Sequence, residues 1–291
     1  MNNLKVSYNK ILKTINTLEK QDNFLPQIRK PKLKDKELVA LILVAEYLGI
    51  DSEYELFRRM PESLSLLIER SVYNRRKRRL FPFIEQIREK MSRAIISEEE
   101  YHIIDSMPLE ICKMSRKNRL KICREEFITS PNEGFCASQQ TRYFGYKLHA
   151  VCTIQGVFRS FDLSKASVHD IHYLNDVKNQ FKEVTIIGDK GYLSKQIQVD
   201  LFNYQNIKLE VPLRRNQKEY QPQPYILRKS RKRIETLFSQ LCDQFKIRNN
   251  YAKTFEGFKT RILAKITALT VIQLINKLSN RNINNLKISI D

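Results

Sequence analysis

The chain has 291 residues, 42% of them hydrophobic, enough for one large core or two modest ones, which argues against a disordered or fibrous protein. Its 52 Lys and Arg against 32 Asp and Glu leave a net charge of +20, more than solubility requires, so a polyanionic partner is expected, nucleic acid first. Five cysteines without a Cys-x-x-Cys pair argue against a disulfide framework or a zinc ribbon, and the longest apolar stretch, Leu38–Ala45, is too short to span a bilayer. The first residues lack the apolar segment of a secretory signal, so the expected location is the cytoplasm, with no membrane partner.

Residues 1–97 contain one glycine, Gly49, and read as successive helices. Lys34–Leu48 carries apolar residues nearly all round, which suits the central helix of a small bundle, and Gly49 stops it. Ser52 followed by Glu55 has the pattern of a capping box and opens a helix toward Met60. Helix, short turn, helix outlines a helix-turn-helix, although any small bundle produces it too. Arg75, Arg76, Lys77, Arg78 and Arg79 then stand in succession between Tyr73 and Phe81, a run suited to phosphate contact or to a solvated helix face. The apolar stripe Phe83, Ile84, Ile87, Met91, Ile95 closes this first domain.

From residue 98 strand-like alternation replaces the helical period. Tyr101–Asp105 reads as a short strand, Gly145–Thr153 and Val157–Leu163 as a hairpin turning at Gly156, and Val184–Ile187 and Lys208–Pro212 as strands. Helices are expected over His169–Lys178, Leu193–Tyr204, Arg228–Lys246 and Phe255–Leu278. The predicted fold class is therefore α/β, a mixed sheet with flanking helices over residues 98–291, preceded by a small all-α domain over 1–97. Two basic insertions interrupt the second domain, near 106–142 (with Arg116, Lys117 and Arg119) and near 214–227.

Asp105 and Asp189 each end an apolar run, at the carboxyl ends of predicted strands where α/β proteins usually place ligands. Glu235 lies beside the stripe Ile234, Leu237, Phe238, Leu241, Phe245, at the margin of core and solvent, with Arg231 one turn earlier. The three carboxylates suit divalent metal ions and phosphodiester chemistry, while a solvated helix position is the plain alternative for Glu235, with Glu210 and Glu219 in reserve. Lys147 and His149 share a strand face and are candidates to line the site, His149 reading first as a packing or hydrogen-bonding residue. Asp170 is expected to cap a helix, with a role behind the metal ligands as the alternative, and Asp162 competes weakly as a ligand. Gly188 and Gly191 suit a tight turn around Asp189 and Lys190.

Ile103-Ile-Asp105-Ser, Tyr143-Phe-Gly-Tyr-Lys-Leu-His149, Gly188-Asp-Lys-Gly-Tyr192 and Arg231-Lys-Arg-Ile-Glu235-Thr-Leu-Phe-Ser-Gln-Leu together resemble bacterial insertion-sequence transposases of the DDE type, nearest in pattern to the family numbered nine-eighty-two. The resemblance covers most of the chain. It implies an RNase H-like catalytic fold and Asp105, Asp189 and Glu235 as the catalytic acids. They would hold two Mg2+ ions, with Mn2+ able to substitute. Implied partners are double-stranded DNA, as terminal inverted repeats and target, and a second copy of the chain assembled on DNA in the bacterial nucleoid. Arg75–Arg79, Arg116, Lys117, Arg119, Arg228 and Arg231 are the expected DNA contacts, with Lys147, His149, Asp170 and Lys190 around the site. Related transposases often carry a tyrosine and a lysine where this chain has Arg228 and Cys242, so those two roles stay unassigned. A metal-dependent nuclease without strand transfer, or a DNA-binding regulator with a degenerate catalytic domain, are the alternative functions.

Overall fold

Among the described residues six helices come first: α1 (Leu4–Leu18), α2 (Asp35–Tyr47), α3 (Glu53–Arg59), α4 (Glu62–Ser65), α5 (Arg70–Arg79) and α6 (Phe81–Ile95). Then follow β1 (Tyr101–Cys112), β2 (Asn132–Cys136), β3 (Thr141–Thr153), β4 (Phe158–Lys165), α7 (Leu174–Gln180), β5 (Thr185–Ile187), α8 (Lys195–Gln205) and β6 (Lys208–Glu210). Two long helices, α9 (Tyr225–Asp243) and α10 (Phe255–Leu278), end the order. The computed structural model describes residues 4–26, 28–97, 100–214, 216 and 220–287. Two compact units emerge, one from Met1–Ile95 with Gln240–Asp291, the other from Ile96–Ser239.

This division departs from the expected boundary between 97 and 98 at its far end: residues 240–291 join the helical unit, not the sheet. The reason lies in α10, which is buried on every side from Ile262 to Asn276, polar positions included. A sheet covers one face of a helix, whereas α10 packs against α1, α2, α5 and α6. The central helix expected at Lys34–Leu48 is present as α2, whose apolar residues from Leu38 to Val44 are fully buried, so the helical unit has two such helices.

Buried charge ties this unit together. Asp35 accepts the backbone N–H groups of Phe24 (2.9 Å) and Leu25 (2.8 Å) and the guanidinium of Arg76 (2.7 Å), fastening the preceding loop and α5 onto α2. Arg76 and Lys77 are buried while Arg75, Arg78 and Arg79 are exposed. The expected exposed run of five cations is thus corrected to three, because successive helical residues turn by about 100° and cannot share one face. The expected capping box is also corrected: Ser52 precedes α3 without a side-chain cap bond, and the Glu55 carboxylate is taken by Arg58 at 2.8 Å.

In the second unit β1 is longer than expected. It pairs antiparallel with β3 and parallel with β5, and β6 runs parallel on the far side of β5. The other edge of β3 carries β2 along its first part and β4 along the rest, both antiparallel. Ile104, Val151, Ile186 and Leu209 turn one face of the sheet toward Leu174, Val177 and Leu201 of α7 and α8. Side chains alternate along a strand, so Ile103 and Asp105 take the opposite face.

Glu46 in α2 supports a direct test of the helical unit. Only 2% exposed, it lies 2.7 Å from the Lys265 ammonium, 3.5 Å from Arg261 and 3.6 Å from Lys77. Glu46→Gln leaves these cations without their counter-ion and is expected to cost about 3–5 kcal/mol in denaturant unfolding. A loss below about 1 kcal/mol would show that the cluster needs no buried anion.

Candidate active site

The parallel register of β1 and β5 pairs His102 with Ile186 and Ile103 with Ile187. Asp105 and Asp189 each follow two residues later, so the two aspartates leave adjacent strands at the same level and on the same side. Each is half-buried. Asp105 Oδ1 accepts the Ser106 N–H at 2.8 Å, and Asp189 Oδ1 accepts the Gly191 N–H at 2.7 Å, which fixes one oxygen of each. Asp189 thereby caps the short 3-10 turn Lys190–Tyr192, bearing out the tight-turn reading of this glycine. A Cβ on Gly191 would stand 2.9 Å from Asp189 Oδ1 and 3.6 Å from Asp170 Oδ2, so the glycine lets the backbone pass between two carboxylates.

Asp170 was expected to cap a helix. His169 does so instead, its Nδ1 accepting the Ile171 N–H at 3.3 Å. The Asp170 carboxylate points back to the sheet, where Oδ1 accepts the Ser106 hydroxyl (2.8 Å) and pairs with the Lys147 ammonium (3.0 Å). Lys147 also donates to the Val168 carbonyl at 2.8 Å, anchoring that pair. His149 is buried, contacts Ser164 Oγ at 2.7 Å through Nε2, stacks on Tyr173, and keeps Nδ1 3.8 Å from Asp170. Burial pushes its pKa down to about 4, so it packs as a neutral ring.

Burial raises the pKa of Asp105 to about 7; the Ser106 N–H opposes this, Asp189 adds to it, Arg231 opposes and Asp170 adds. Three aspartates therefore share one electrostatic neighbourhood, reached from α9 by Arg231. Tyr192 was missed from sequence. Its fully buried hydroxyl has no hydrogen-bond partner among the described residues, and burial followed by Asp170, Asp105 and Asp189 raises its pKa. Ser106 was missed too, although it directly follows Asp105 and opposes His149 across the strand pair.

Glu235 is exposed on α9, one turn beyond Arg231. Among the described residues no three His, Cys, Asp or Glu side chains stand together ready to hold a metal ion. Of its reserves, Glu210 pairs with Lys208 at 2.9 Å and Glu219 lies outside the described residues. Asp162 is exposed on β4 opposite His149. Lys190, Arg116, Arg119 and Arg228 are exposed, and Lys117 pairs with Glu133.

Residues 97–271, more than half of the chain, match the family described as the transposase DDE domain. The chain belongs to this family. No curated protein and no solved structure matches it. DDE transposase domains generally use divalent metal ions and act on DNA. No helix among the described residues is long and apolar enough to cross a membrane.

The raised pKa of Asp105 predicts a pH signature. Between about pH 4 and pH 7 the folded chain holds a proton that the unfolded chain releases, so stability falls as pH rises through that window. Asp105→Asn removes this cost. In chelator it is expected to stabilise the protein at pH 8 by on the order of 2 kcal/mol and to change little near pH 4. Thermal melts at the two pH values decide it, and an equal shift at both contradicts a raised Asp105.

Proposed function

We propose that the protein is a DNA transposase that cleaves at the ends of its mobile element and joins the 3′-hydroxyl ends to target DNA. The observation that carries this reading is the pair Asp105 and Asp189, level with each other at the ends of adjacent parallel strands in a chain of the DDE family. The strand order supports an RNase H-like arrangement, with β1 and β3 antiparallel, the outer edge of β3 paired to β2 and β4, and β5 and β6 parallel to β1.

The donors fit a hard divalent cation. Asp105 and Asp189 offer carboxylate oxygens, and the mutual repulsion that helps to hold Asp105 protonated is what a cation relieves. These two residues would hold Mg2+, or Mn2+ in its place, with Glu235 the expected third acid and two ions the expected number. Bound there, the metal supplies a strong oxygen nucleophile and stabilises charge on the leaving oxygen. The chain's own residues prepare the site. Asp170, steadied by Lys147, takes the Ser106 hydroxyl, and Ser106 in turn fixes Asp105 through its N–H. Arg231 brings positive charge to the side of Asp105, where a phosphate oxygen would lie.

The helical unit, with Arg75, Arg78 and Arg79 exposed on α5, is the proposed holder of the element's terminal repeats. Arg116, Arg119 and Arg228 are proposed contacts of the sheet unit. Beside Lys147, an open cavity of about 620 Å3 lined by Arg142 and His169 offers room for a strand. The proposed setting is the bacterial cytoplasm, with two copies assembled on DNA.

Purified full-length protein is tested on a plasmid carrying the DNA that flanks its reading frame, with Mg2+. Cleavage at defined ends followed by joined products is expected, whereas cleavage without joining would favour a nuclease. Asp105→Asn and Asp189→Asn are expected to abolish both steps while gel-shift affinity for DNA persists. Asp170→Asn is expected to lower the rate about 10–100-fold, as for residues that orient metal ligands. An Asp189→Asn protein that cleaves at the parent rate would overturn the assignment.

A further inference from the structure

A second site lies entirely within the helical unit. A cavity of about 720 Å3 opens among the start of α3, α5 and the start of α10, within the roughly 300–1,000 Å3 range of small-ligand sites. Arg70, Lys77, Arg78, Lys253 and Arg261 line it. Two carboxylates oppose them, Glu53, which accepts from Asn74 at 2.7 Å and also attracts Lys77, and Asp51, 3.7 Å from Lys246. The cavity wall is therefore cationic by excess.

The excess continues into the interior. Lys77 is 8% exposed, its ammonium makes no hydrogen bond among the described residues, and its nearest carboxylate oxygen, on Glu46, is 3.6 Å away. That carboxylate is closest to Lys265, at 2.7 Å, and Arg261 is also within 3.5 Å of it. Arg261 spends one nitrogen on the Asp51 carbonyl at 2.9 Å, while its buried Nε has no hydrogen-bond partner among the described residues. One buried carboxylate thus serves three cations, two of which, Lys77 and Arg261, face the cavity. Burying unbalanced charge is costly, and an anion in the cavity removes that cost. The N-terminal end of the 24-residue α10 faces the same space through Thr254 and Gly257, its positive end partly offset by Glu256 in the same turn. Lining the same cavity are Tyr54, 63% exposed with the Arg70 guanidinium over one face of its ring, and Tyr251, 69% exposed, aromatic rings of the kind that stack on bases.

We infer that this cavity seats one nucleotide of a DNA strand, its phosphate between Lys77, Arg261 and the first turn of α10. The inference rests on DNA as the partner proposed above and not on the carboxylates of the sheet unit. It also gives Lys77 a role that an exposed basic face would not.

The test uses full-length protein in chelator, so that cleavage plays no part, and measures affinity for a short labelled duplex of arbitrary sequence across a salt series. Arg70→Gln with Lys253→Gln removes two cavity cations that are not among the α5 contacts proposed above; Lys10→Gln with Lys13→Gln removes two exposed cations of α1 as a charge-matched control. The cavity pair is expected to weaken binding about tenfold or more and to lower the salt slope by about 0.9 for each phosphate no longer neutralised, with the control changing little. Equal effects of the two pairs would overturn the inference. Lys77→Met gives a separate readout: affinity falls while stability is kept or raised, because a surplus cation has been removed. Lost stability with unchanged affinity of the folded protein would make Lys77 structural and sink the proposal, and if Lys77→Met fails to fold, the cavity pair decides. Inorganic phosphate is the remaining probe. If it raises the parent's melting temperature while the cavity pair leaves duplex affinity intact, the cavity holds free phosphate and the DNA assignment fails.

Discussion

The parallel pairing of β1 with β5 is the constraint on which the candidate site depends. Three residue pairs suffice, Tyr101 with Thr185, His102 with Ile186 and Ile103 with Ile187. A slip of one residue would send Asp105 and Asp189 to opposite faces, because the side-chain period of a strand is two. Register is secured by burial on both faces: Ile104 and Ile186 pack under α7 and α8, while Ile103 and Ile187 are equally excluded from solvent. Like charges are thus held near each other by apolar packing elsewhere, and burial, with a lesser contribution from Asp189, raises the pKa of Asp105.

The strands and the two aspartates were legible because their signals are local: an apolar run, an aspartate after it, a glycine turn. The hairpin at Gly156 and the ends of α10 were legible for the same reason. Asp170 was not. Near the start of a helix an aspartate reads as a cap, and nothing in Val168-His169-Asp170 shows that His169 takes that task and frees the carboxylate for Ser106 and Lys147. The partition of Arg75–Arg79 was equally hidden, since the acids that bury Arg76 and Lys77, Asp35 and Glu46, come from another helix. The place of α10 could not be read from chain order either, because a helix that is apolar all round asks for neighbours on every side without naming them.

The two units use buried charge in opposite senses. In the sheet unit carboxylates outnumber nearby cations around Asp105, an arrangement suited to a metal ion. Around Glu46 in the helical unit cations outnumber carboxylates, an arrangement suited to a phosphate. Each imbalance is tolerated because the surrounding packing carries it, and each marks a place where the chain has kept an energetic cost that apolar residues would have avoided.

The helical unit draws its residues from both ends of the order, 1–95 and 240–291, with the whole sheet unit threaded between them. Its innermost helix, α10, is therefore made only after the whole sheet unit. Until α10 leaves the ribosome, α1, α2, α5 and α6 expose the surfaces that later enclose it, and Glu46 waits beside Lys77 for Lys265 and Arg261. The sheet unit, contiguous in sequence, is free to fold first. A chain cut short after the sheet would carry the aspartates but an incomplete bundle. Completion of the bundle therefore waits on the synthesis of the sheet unit and of α10.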